Sequence, residues 1–253
     1  MENAGRHIRS KTGIYFWVKS LLCGVFLCGQ FFSYGQVDVP QKNTGFMDFN
    51  VYRDSRDFQN ITINLLANLP NKIQYFSLNN FQSPNNKKDL GTFYAEHNVR
   101  FGIGKYSPFQ VTYQGVITSG DNNDQNRIGI RLILGKSARF KSFFKKHGLF
   151  YSINPFFIEV SPTGERALFP VIEHVYHIFP FYKKGSKAFY LAGFADHNFS
   201  KVDGEVKSNW VAEHQAGYAI LPSLYAIVEY RLNTYLPINQ SGFGFGIEYK
   251  INF

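Results

Sequence analysis

Apolar and polar residues alternate, residue by residue, along most of this chain. The alternation is strictest in GFGFGIEYKINF, where aromatic and aliphatic residues hold one parity and Gly, Glu, Lys and Asn hold the other. Successive side chains of a β-strand point to opposite faces, so a period of two predicts strands with one apolar and one polar face. The pattern predicts twelve strands, at 46–53, 59–68, 73–82, 92–103, 109–118, 126–135, 148–160, 167–179, 188–199, 209–220, 224–235 and 242–253.

The length and spacing of these strands favour a membrane barrel over a soluble β-sandwich. A tilted strand needs about 9 to 11 residues to cross a bilayer, and most of the predicted strands reach that length. Tight connections such as NLPNK and AILPS alternate with long ones such as FQSPNNKKDLG and SKVDGEVKSN, as in barrels that span a membrane. We therefore expect an all-β fold, a transmembrane antiparallel up-and-down β-barrel of twelve strands, over residues 36–253. The facing of 73–82, 148–160 and 188–199 stays open, because they alternate less regularly.

The first 35 residues form a different kind of segment. Four basic residues precede an apolar run from Leu21 to Phe32, and the small residues Ser33 and Gly35 follow it. This layout predicts a secretory signal peptide over 1–35 that is removed, and the run is too short to span a bilayer comfortably. An uncleaved anchor is the alternative. Both cysteines lie inside this segment, so the mature chain is expected to carry no disulfide.

The net charge of +9 raises the question whether the partner is nucleic acid or lipid. The connections after even-numbered strands contain ten basic residues and no acidic one, whereas the other connections contain seven basic and eight acidic residues. The basic surplus therefore lies at one membrane face, against anionic headgroups. We expect outer-membrane lipids as a partner, no nucleic acid, and both termini on the periplasmic side. The ten residues are Lys72, Lys105, Lys136, Arg139, Lys141, Lys145, Lys146, Lys183, Lys184 and Lys187.

One segment outside the signal peptide has helical periodicity. In KSARFKSFFKKHG, Phe140, Phe143 and Phe144 stand at i, i+3 and i+4 among lysines. This spacing predicts a short amphipathic helix that lies on the membrane surface. A disordered basic turn is the alternative.

The polar face of the predicted strands supplies the candidate pore-lining residues. Their charges have both signs and are expected to pair across strands. We expect Arg127, Arg131, Glu96 and Glu213 to set a mixed-charge constriction. Aromatic rings of the same phase can stack on a flat solute or simply fill space. The candidates are Glu96, Arg100, Arg127, Arg131, Glu173, His177, Glu213, Glu229, Arg231, Glu248, Lys250, Tyr94 and Tyr225, with Asp48, Tyr52, Tyr190 and Phe194 in the same phase.

A Glu-His dipeptide recurs in AEHN, IEHV and AEHQ. The three pairs lie on predicted strands that run in the same direction, so Glu96, Glu173 and Glu213 are expected at similar depth in the lumen. Neighbouring residues of a strand face opposite sides, so the three histidines would face the lipid interface or a neighbouring side chain. This geometry argues against a metal site, and we expect no metal and no cofactor.

The chain contains no Gly-rich phosphate loop, CxxC, HExxH or GxSxG motif. Ser152, Ser161 and Ser200 have no nucleophile motif around them. We therefore expect no enzyme activity, with a lipid hydrolase kept as an alternative.

Two stretches carry a resemblance to known barrels. FGFGIEYKINF resembles the closing strand of Gram-negative outer-membrane barrels, which implies that Phe253 is an assembly signal read by the barrel assembly machinery. MDFNVYRD and GTFYAEHNVRFGIG, in an exported chain whose mature part has no cysteine and twelve predicted strands, resemble the nucleoside-specific channel family (Tsx-like). The resemblance implies a narrow passive channel in the cell outer membrane for a small polar solute, such as a nucleoside. A closed barrel that anchors or binds a partner and an outer-membrane lipid-modifying enzyme remain the alternatives.

Overall fold

The structure is a computed structural model, and it describes residues 43–83, 90–104, 107–121, 123–164, 166–182, 187–202 and 204–253. The predicted signal peptide, 1–35, lies outside the described residues. Within the described ranges, no helix combines the length and the apolar character that a membrane-spanning helix needs.

The described part of the chain forms twelve strands in one closed sheet. Each strand pairs antiparallel with the strands before and after it, and the last strand pairs with the first. The predicted antiparallel up-and-down barrel is therefore confirmed. The strands are β1 (Thr44–Asp54), β2 (Gln59–Asn68), β3 (Ile73–Ser83), β4 (Thr92–Gly102), β5 (Phe109–Thr118), β6 (Gln125–Ile133), β7 (Leu149–Val160), β8 (Arg166–Ile178), β9 (Phe189–Val202), β10 (Glu205–Leu221), β11 (Leu224–Asn233) and β12 (Ser241–Asn252).

The barrel is apolar outside and polar inside. On β12, Phe243, Phe245 and Ile247 expose 50%, 61% and 50% of their surface, whereas Glu248 of the opposite parity exposes 2%. On the other strands, buried polar side chains such as Asn98 point into the barrel. A soluble sandwich has the opposite arrangement, whereas a barrel in lipid needs an apolar exterior. The fold is thus that of an all-β transmembrane barrel.

The two ends of the barrel differ. We call the end at which β1 begins and β12 ends the chain-end rim, and the opposite end the far rim. At the chain-end rim, the amide of Gly45 donates to the carbonyl of Phe253 (2.8 Å) and the amide of Phe253 donates to that of Gly45 (3.1 Å). Lys72 and Lys136 lie in 3-10 turns at this same rim, because these turns follow the even-numbered strands β2 and β6.

The predicted amphipathic helix is present as α1 (Lys141–His147), in the connection from β6 to β7. Gly148 ends it in the left-handed conformation (φ 61°), and its amide bonds the carbonyls of Lys145 and Phe144. Such an αL glycine satisfies carbonyls that the last helical turn leaves open. Phe143 remains 55% exposed, so α1 presents an aromatic ring to its surroundings at the chain-end rim.

The prediction of a long connection over SKVDGEVKSN is wrong. β9 and β10 continue through it as a paired ladder, in which Ser200 lies opposite Lys207 and Lys201 opposite Val206. Side chains on both faces of this hairpin are exposed and mostly polar, so the apolar alternation ends while the backbone hydrogen bonds continue. This hairpin extends the far rim between β9 and β10.

The structure also assigns the three strands whose facing stayed open. Phe76 and Leu78 of β3 and Phe194 of β9 line the interior. β7 changes phase because its pairing shifts between Phe156 and Ile158, which brings Glu159 to the inner face opposite Arg127. An interrupted register explains why the alternation of this segment is irregular.

Candidate functional site

The barrel encloses a cavity of about 460 Å³. Nine of the thirteen pore-lining candidates line it, as do Asp48, Tyr190 and Phe194 of the same phase. The nine are Glu96, Arg100, Arg131, Glu173, His177, Glu213, Glu229, Glu248 and Lys250. A second cavity of about 220 Å³ also contacts Phe150 and His177, and it continues along α1 past Lys145 and Lys187. The two adjoining cavities place an approach to the lumen at the chain-end rim.

The other four candidates do not line the cavity. Arg127 and Arg231 are inward and buried, at 8% and 9% exposed. Tyr94 donates a hydrogen bond to Glu96 (3.2 Å), and the ring of Tyr225 packs edge-on against that of Tyr190 at 5.5 Å. These residues fill and support the lumen around the cavity.

Three phenylalanine residues that the sequence pattern did not single out line the cavity: Phe46, Phe76 and Phe150. The guanidinium of Arg100 lies 5.5 Å from the ring centre of Phe76, and that of Arg131 lies 5.3 Å from Phe150. Phe76 and Phe150 belong to strands with irregular alternation, so their phase could not be read with certainty from the sequence. The register with Asn98 and His177 settles it.

Two arginines on one wall share a single amide oxygen. Oε1 of Gln74 accepts from Nη1 of Arg100 (3.2 Å) and from Nη1 of Arg131 (2.6 Å). Nε of Arg131 also donates to the hydroxyl of Ser152 (3.2 Å). These two arginines are therefore held by neutral acceptors, with Glu173 as a longer-range electrostatic partner.

Three of the six carboxylates that line the cavity accept hydrogen bonds from asparagine amides. Oδ1 of Asp48 accepts from Nδ2 of Asn50 and of Asn64, both at 2.8 Å. In the same way, the amide of Asn98 donates to Glu96 (2.5 Å). On β7, Asn154 donates to Glu173 of β8.

Two arginines that do not line the cavity form ion pairs on its far-rim side. Arg231 bonds Glu229 (2.5 Å) and Glu213 (3.3 Å), and its guanidinium lies 4.7 Å from the ring centre of Tyr52. Arg127 bonds Glu159 (2.6 Å) and also donates to Gln114 at 2.9 Å. These ion-paired side chains occupy the lumen on the far-rim side of the cavity.

The four residues expected to set the mixed-charge constriction, Arg127, Arg131, Glu96 and Glu213, have separate partners in the structure. Arg127 pairs with Glu159, Glu213 pairs with Arg231, and Arg131 is held by Gln74. Glu159 lies on the strand next to Arg127, and Arg231 lies on the strand next to Glu213, but Gln74 on β3 is two strands removed from β5, the neighbour of Arg131. Parity alone does not reveal such partners.

The three Glu-His pairs split between the two faces of the sheet, as predicted. Each glutamate faces the cavity, and Nδ1 of each histidine bonds a tyrosine hydroxyl on the outer face. The distances are 2.7 Å for Tyr75–His97, 2.8 Å for Tyr151–His174 and 2.9 Å for Tyr176–His214. Among the described side chains, no group of three or more His, Cys, Asp or Glu residues has metal-binding geometry.

A charged pair closes the sheet at the far rim. Arg56, in the turn after β1, donates to both carboxylate oxygens of the buried Asp54, at 2.8 and 2.7 Å, and to the carbonyl of Asn239 at 3.2 Å. The hydrogen bond with Asp54 raises the pKa of Arg56, against a smaller lowering by burial. The pair joins the β1–β2 turn to the connection before β12.

Sequence reasoning missed one Ser-His contact on the outer face. Nε2 of His197 lies 2.7 Å from the hydroxyl of Ser208, and the imidazole stacks on Trp210 with ring centres 4.1 Å apart. His197 and Ser208 lie on neighbouring strands near the far rim, eleven positions apart, so no short motif could reveal the contact.

Comparison of the sequence with known protein families returns no match. No curated protein matches the chain either. Among solved structures, the KdgM porin in complex with disordered oligogalacturonate is 10% identical, with a TM-score of 0.48 over 81% of this chain and 98% of that one.

Two further solved structures are similar in shape. The translocator domain of the autotransporter NalP from Neisseria meningitidis is 11% identical (TM-score 0.34, 93% of this chain and 97% of that one). A triple mutant of the Rhodopseudomonas blastica porin is 7% identical (TM-score 0.29, 83% of this chain and 99% of that one). At these scores the likenesses say nothing about the solute or the activity of this chain.

Proposed function

We propose that this protein is a cell outer-membrane barrel and a narrow passive channel for small polar solutes. The observation that carries the proposal is a polar cavity inside a closed barrel whose exterior is apolar. The apolar exterior can contact lipid, and the charged and amide groups inside can replace the water molecules that hydrate a passing solute. The ion-pair layer of Arg231 and Arg127 forms the narrowest part.

In this proposal both chain termini are periplasmic. The basic connections at the chain-end rim then contact anionic headgroups of the inner leaflet. α1 carries Lys141, Lys145 and Lys146 beside the exposed Phe143, which suits a helix at a lipid surface. Recognition of Phe253 by the barrel assembly machinery stays a prediction.

A nucleoside is the solute class that we propose first. The cavity volume, about 460 Å³, falls within the range of small-molecule sites, roughly 300 to 1,000 Å³. Phe76, Phe150 and Phe194 offer ring faces to a planar base, and Gln74 and Asn50 stand beside them as hydrogen-bonding groups. Removal of one ring should therefore weaken the binding of the nucleoside more than it changes the conductance of the pore.

Planar-bilayer recording of the purified full chain tests both parts of this proposal. The wild type should give unitary conductance that adenosine or uridine reduces. Phe76→Ala and Phe150→Ala should weaken the block by the nucleoside, whereas Phe143→Ala on α1 should leave it unchanged. Absence of conductance in a correctly folded barrel would favour the closed, partner-binding alternative, and conductance without block would remove the nucleoside.

The contact between His197 and Ser208 supports lipid hydrolysis as a second candidate. A hydroxyl hydrogen-bonded to an imidazole has the geometry of an activated nucleophile, and both side chains lie on the outer face. Release of fatty acid from phospholipid vesicles by the wild type, lost in Ser208→Ala and retained in Ser200→Ala, would establish this activity. Equal release by wild type and Ser208→Ala, or none by either, removes it.

A further inference from the structure

The inward-facing charges of the described strands are unequal in number. With the Asp54–Arg56 pair at the far rim left aside, eight carboxylates face five cationic groups. The carboxylates are Asp48, Glu96, Glu159, Glu173, Asp196, Glu213, Glu229 and Glu248, and the cations are Arg100, Arg127, Arg131, Arg231 and Lys250. The excess lies inside the barrel, opposite in sign to the basic chain-end rim.

Ion pairing does not consume the excess. Within the described residues, ion pairs reach Glu159, Glu213, Glu229 and Glu248, the last from Lys250 at 3.8 Å. The other four carboxylates have no Lys or Arg nitrogen within ion-pairing distance in this part of the chain. They are Asp48, Glu96, Glu173 and Asp196, exposed by 5%, 6%, 5% and 8%.

A second, independent feature points in the same direction. The amide nitrogens of Asn50, Asn64, Asn98 and Asn154 all donate to these carboxylates, which turns the amide oxygens away from them. Each of the four oxygens is buried without a hydrogen-bond partner among the described groups, and so is Oδ1 of Asp196. Asn50, only 3% exposed, and Asn64 line the cavity directly. These oxygens outnumber the buried nitrogens without a partner in the described lumen, which are Nδ2 of Asn60, Nε of Arg100 and Nε2 of His177, so the lumen has an excess of acceptors that lack donors.

We infer that the lumen selects against anions and favours small cations with N–H donors, of the ammonium class, together with neutral donor-rich solutes. Asp48, Asn50 and Asn64 form one acceptor group on β1 and β2, and Glu96 of β4 and Glu173 of β8 add two more carboxylates to the cavity lining. A cation beside these groups gains attraction from several buried carboxylates, whereas an anion is repelled. Arg100 and Arg131 on one wall orient such a solute, but they do not set the charge preference of the lumen, because the carboxylates outnumber the cationic groups.

Permeation of the cation rests on the proposed channel function, and the first test measures it. In planar bilayers with unequal KCl on the two sides, the reversal potential gives the permeability ratio of K⁺ to Cl⁻. The wild-type ratio should exceed one and fall toward one in Asp48→Asn and Glu96→Gln. Glu205→Gln, which removes an exposed carboxylate at the start of β10, should leave the ratio unchanged. A wild-type ratio of one or less overturns the inference while the channel itself stands.

A binding measurement tests the lumen independently of conductance. Calorimetric titration of the detergent-solubilised full chain compares butane-1,4-diamine with succinate, which have similar length and opposite charge. The diamine should bind more tightly, and Glu96→Gln should weaken it while Glu205→Gln should not. Diamine binding without current would contradict the proposed channel function but would leave the preference of the lumen for cations in place. Equal or tighter binding of succinate overturns the preference, as does the absence of both binding and current.

Discussion

The ring of Tyr52 on β1 covers the guanidinium of Arg231 on β11, with 4.7 Å between the guanidinium carbon and the ring centre. β12 runs between these two strands, and it presents only glycine to the inside at this level. A Cβ at Gly244 would meet the ring of Tyr52, and one at Gly246 would meet Cβ of Tyr52, so the two glycines let Tyr52 cross the closing strand without obstruction. The seam between first and last strands is thereby covered by one buried ring.

A methyl group at Gly244 should open this seam. A Cβ there would stand 2.7 Å from Cδ2 of Tyr52, a ring that is only 4% exposed and cannot move freely. We expect Gly244→Ala to lower the free energy of unfolding by about 1 to 3 kcal/mol, as overpacking does in other cores. Urea unfolding in lipid vesicles, followed by tryptophan fluorescence, measures it.

Gly115→Ala is the matched control for this substitution. It also lies within a strand, but its Cβ would meet the hydroxyl of Tyr113 at 3.5 Å, an ordinary contact. Tyr52→Leu should rescue part of the loss in Gly244→Ala, because it removes the atoms that clash. Equal stability of Gly244→Ala and Gly115→Ala would show that the ring of Tyr52 can move aside without loss of stability.

The buried ion pair of Arg56 and Asp54 at the far rim should contribute more to stability than the exposed pair of Arg53 and Asp57 beside it. Arg56→Ala leaves Asp54, whose side chain is 0% exposed, without its cation, and we expect a loss of about 3 to 5 kcal/mol in unfolding free energy. Arg53→Ala breaks an ion pair with Asp57 whose side chains are 69% and 58% exposed, and the expected loss is at most about 1 kcal/mol. The same vesicle unfolding assay compares them. A similar loss for both variants would contradict the burial argument.

The pair of Arg127 and Glu159 should behave as one unit. Arg127→Met leaves the carboxylate of Glu159, which is largely removed from water, without its cation, so the single substitution should lower the free energy of unfolding by about 3 to 5 kcal/mol. Glu159→Gln alone and the two changes together complete a double-mutant cycle. We expect a coupling energy of about 0.5 to 3 kcal/mol, the range for residues in contact. Additive losses would mean that the bond at 2.6 Å does not hold the pair.

The hydroxyl of Tyr176 should stabilise the outer face. Tyr176 lies beside Gly193 of β9, which has no side chain, and reaches His214 on β10. Tyr176→Phe should cost about 0.5 to 1.5 kcal/mol, the usual net value of one hydrogen bond. Tyr249→Phe is the control, since that exposed tyrosine has no hydrogen-bond partner in the described structure. Equal effects of both changes would assign no role to the Tyr–His bond.

Much of the barrel follows from local sequence, because strand faces obey a period of two. The parity of Phe243 and Glu248 predicts which side meets lipid, and the shared direction of the strands that carry Glu96, Glu173 and Glu213 predicts their common cavity. The apolar spacing of KSARFKSFFKKHG likewise predicts α1. Each of these features depends on residues close to one another in the chain.

The partners of those residues were decided only by the tertiary structure. Parity says that Arg127 points inward, but the bulge in β7 is what brings Glu159 to it, and no local pattern places Tyr52 over Arg231. The extended hairpin of β9 and β10 shows the same limit, because its backbone ladder continues where the side-chain alternation has ended. Alternation along a strand determined the two faces of this barrel. Register, bulges and barrel closure, which join residues far apart in the chain, decided how its lumen is charged, narrowed and sealed.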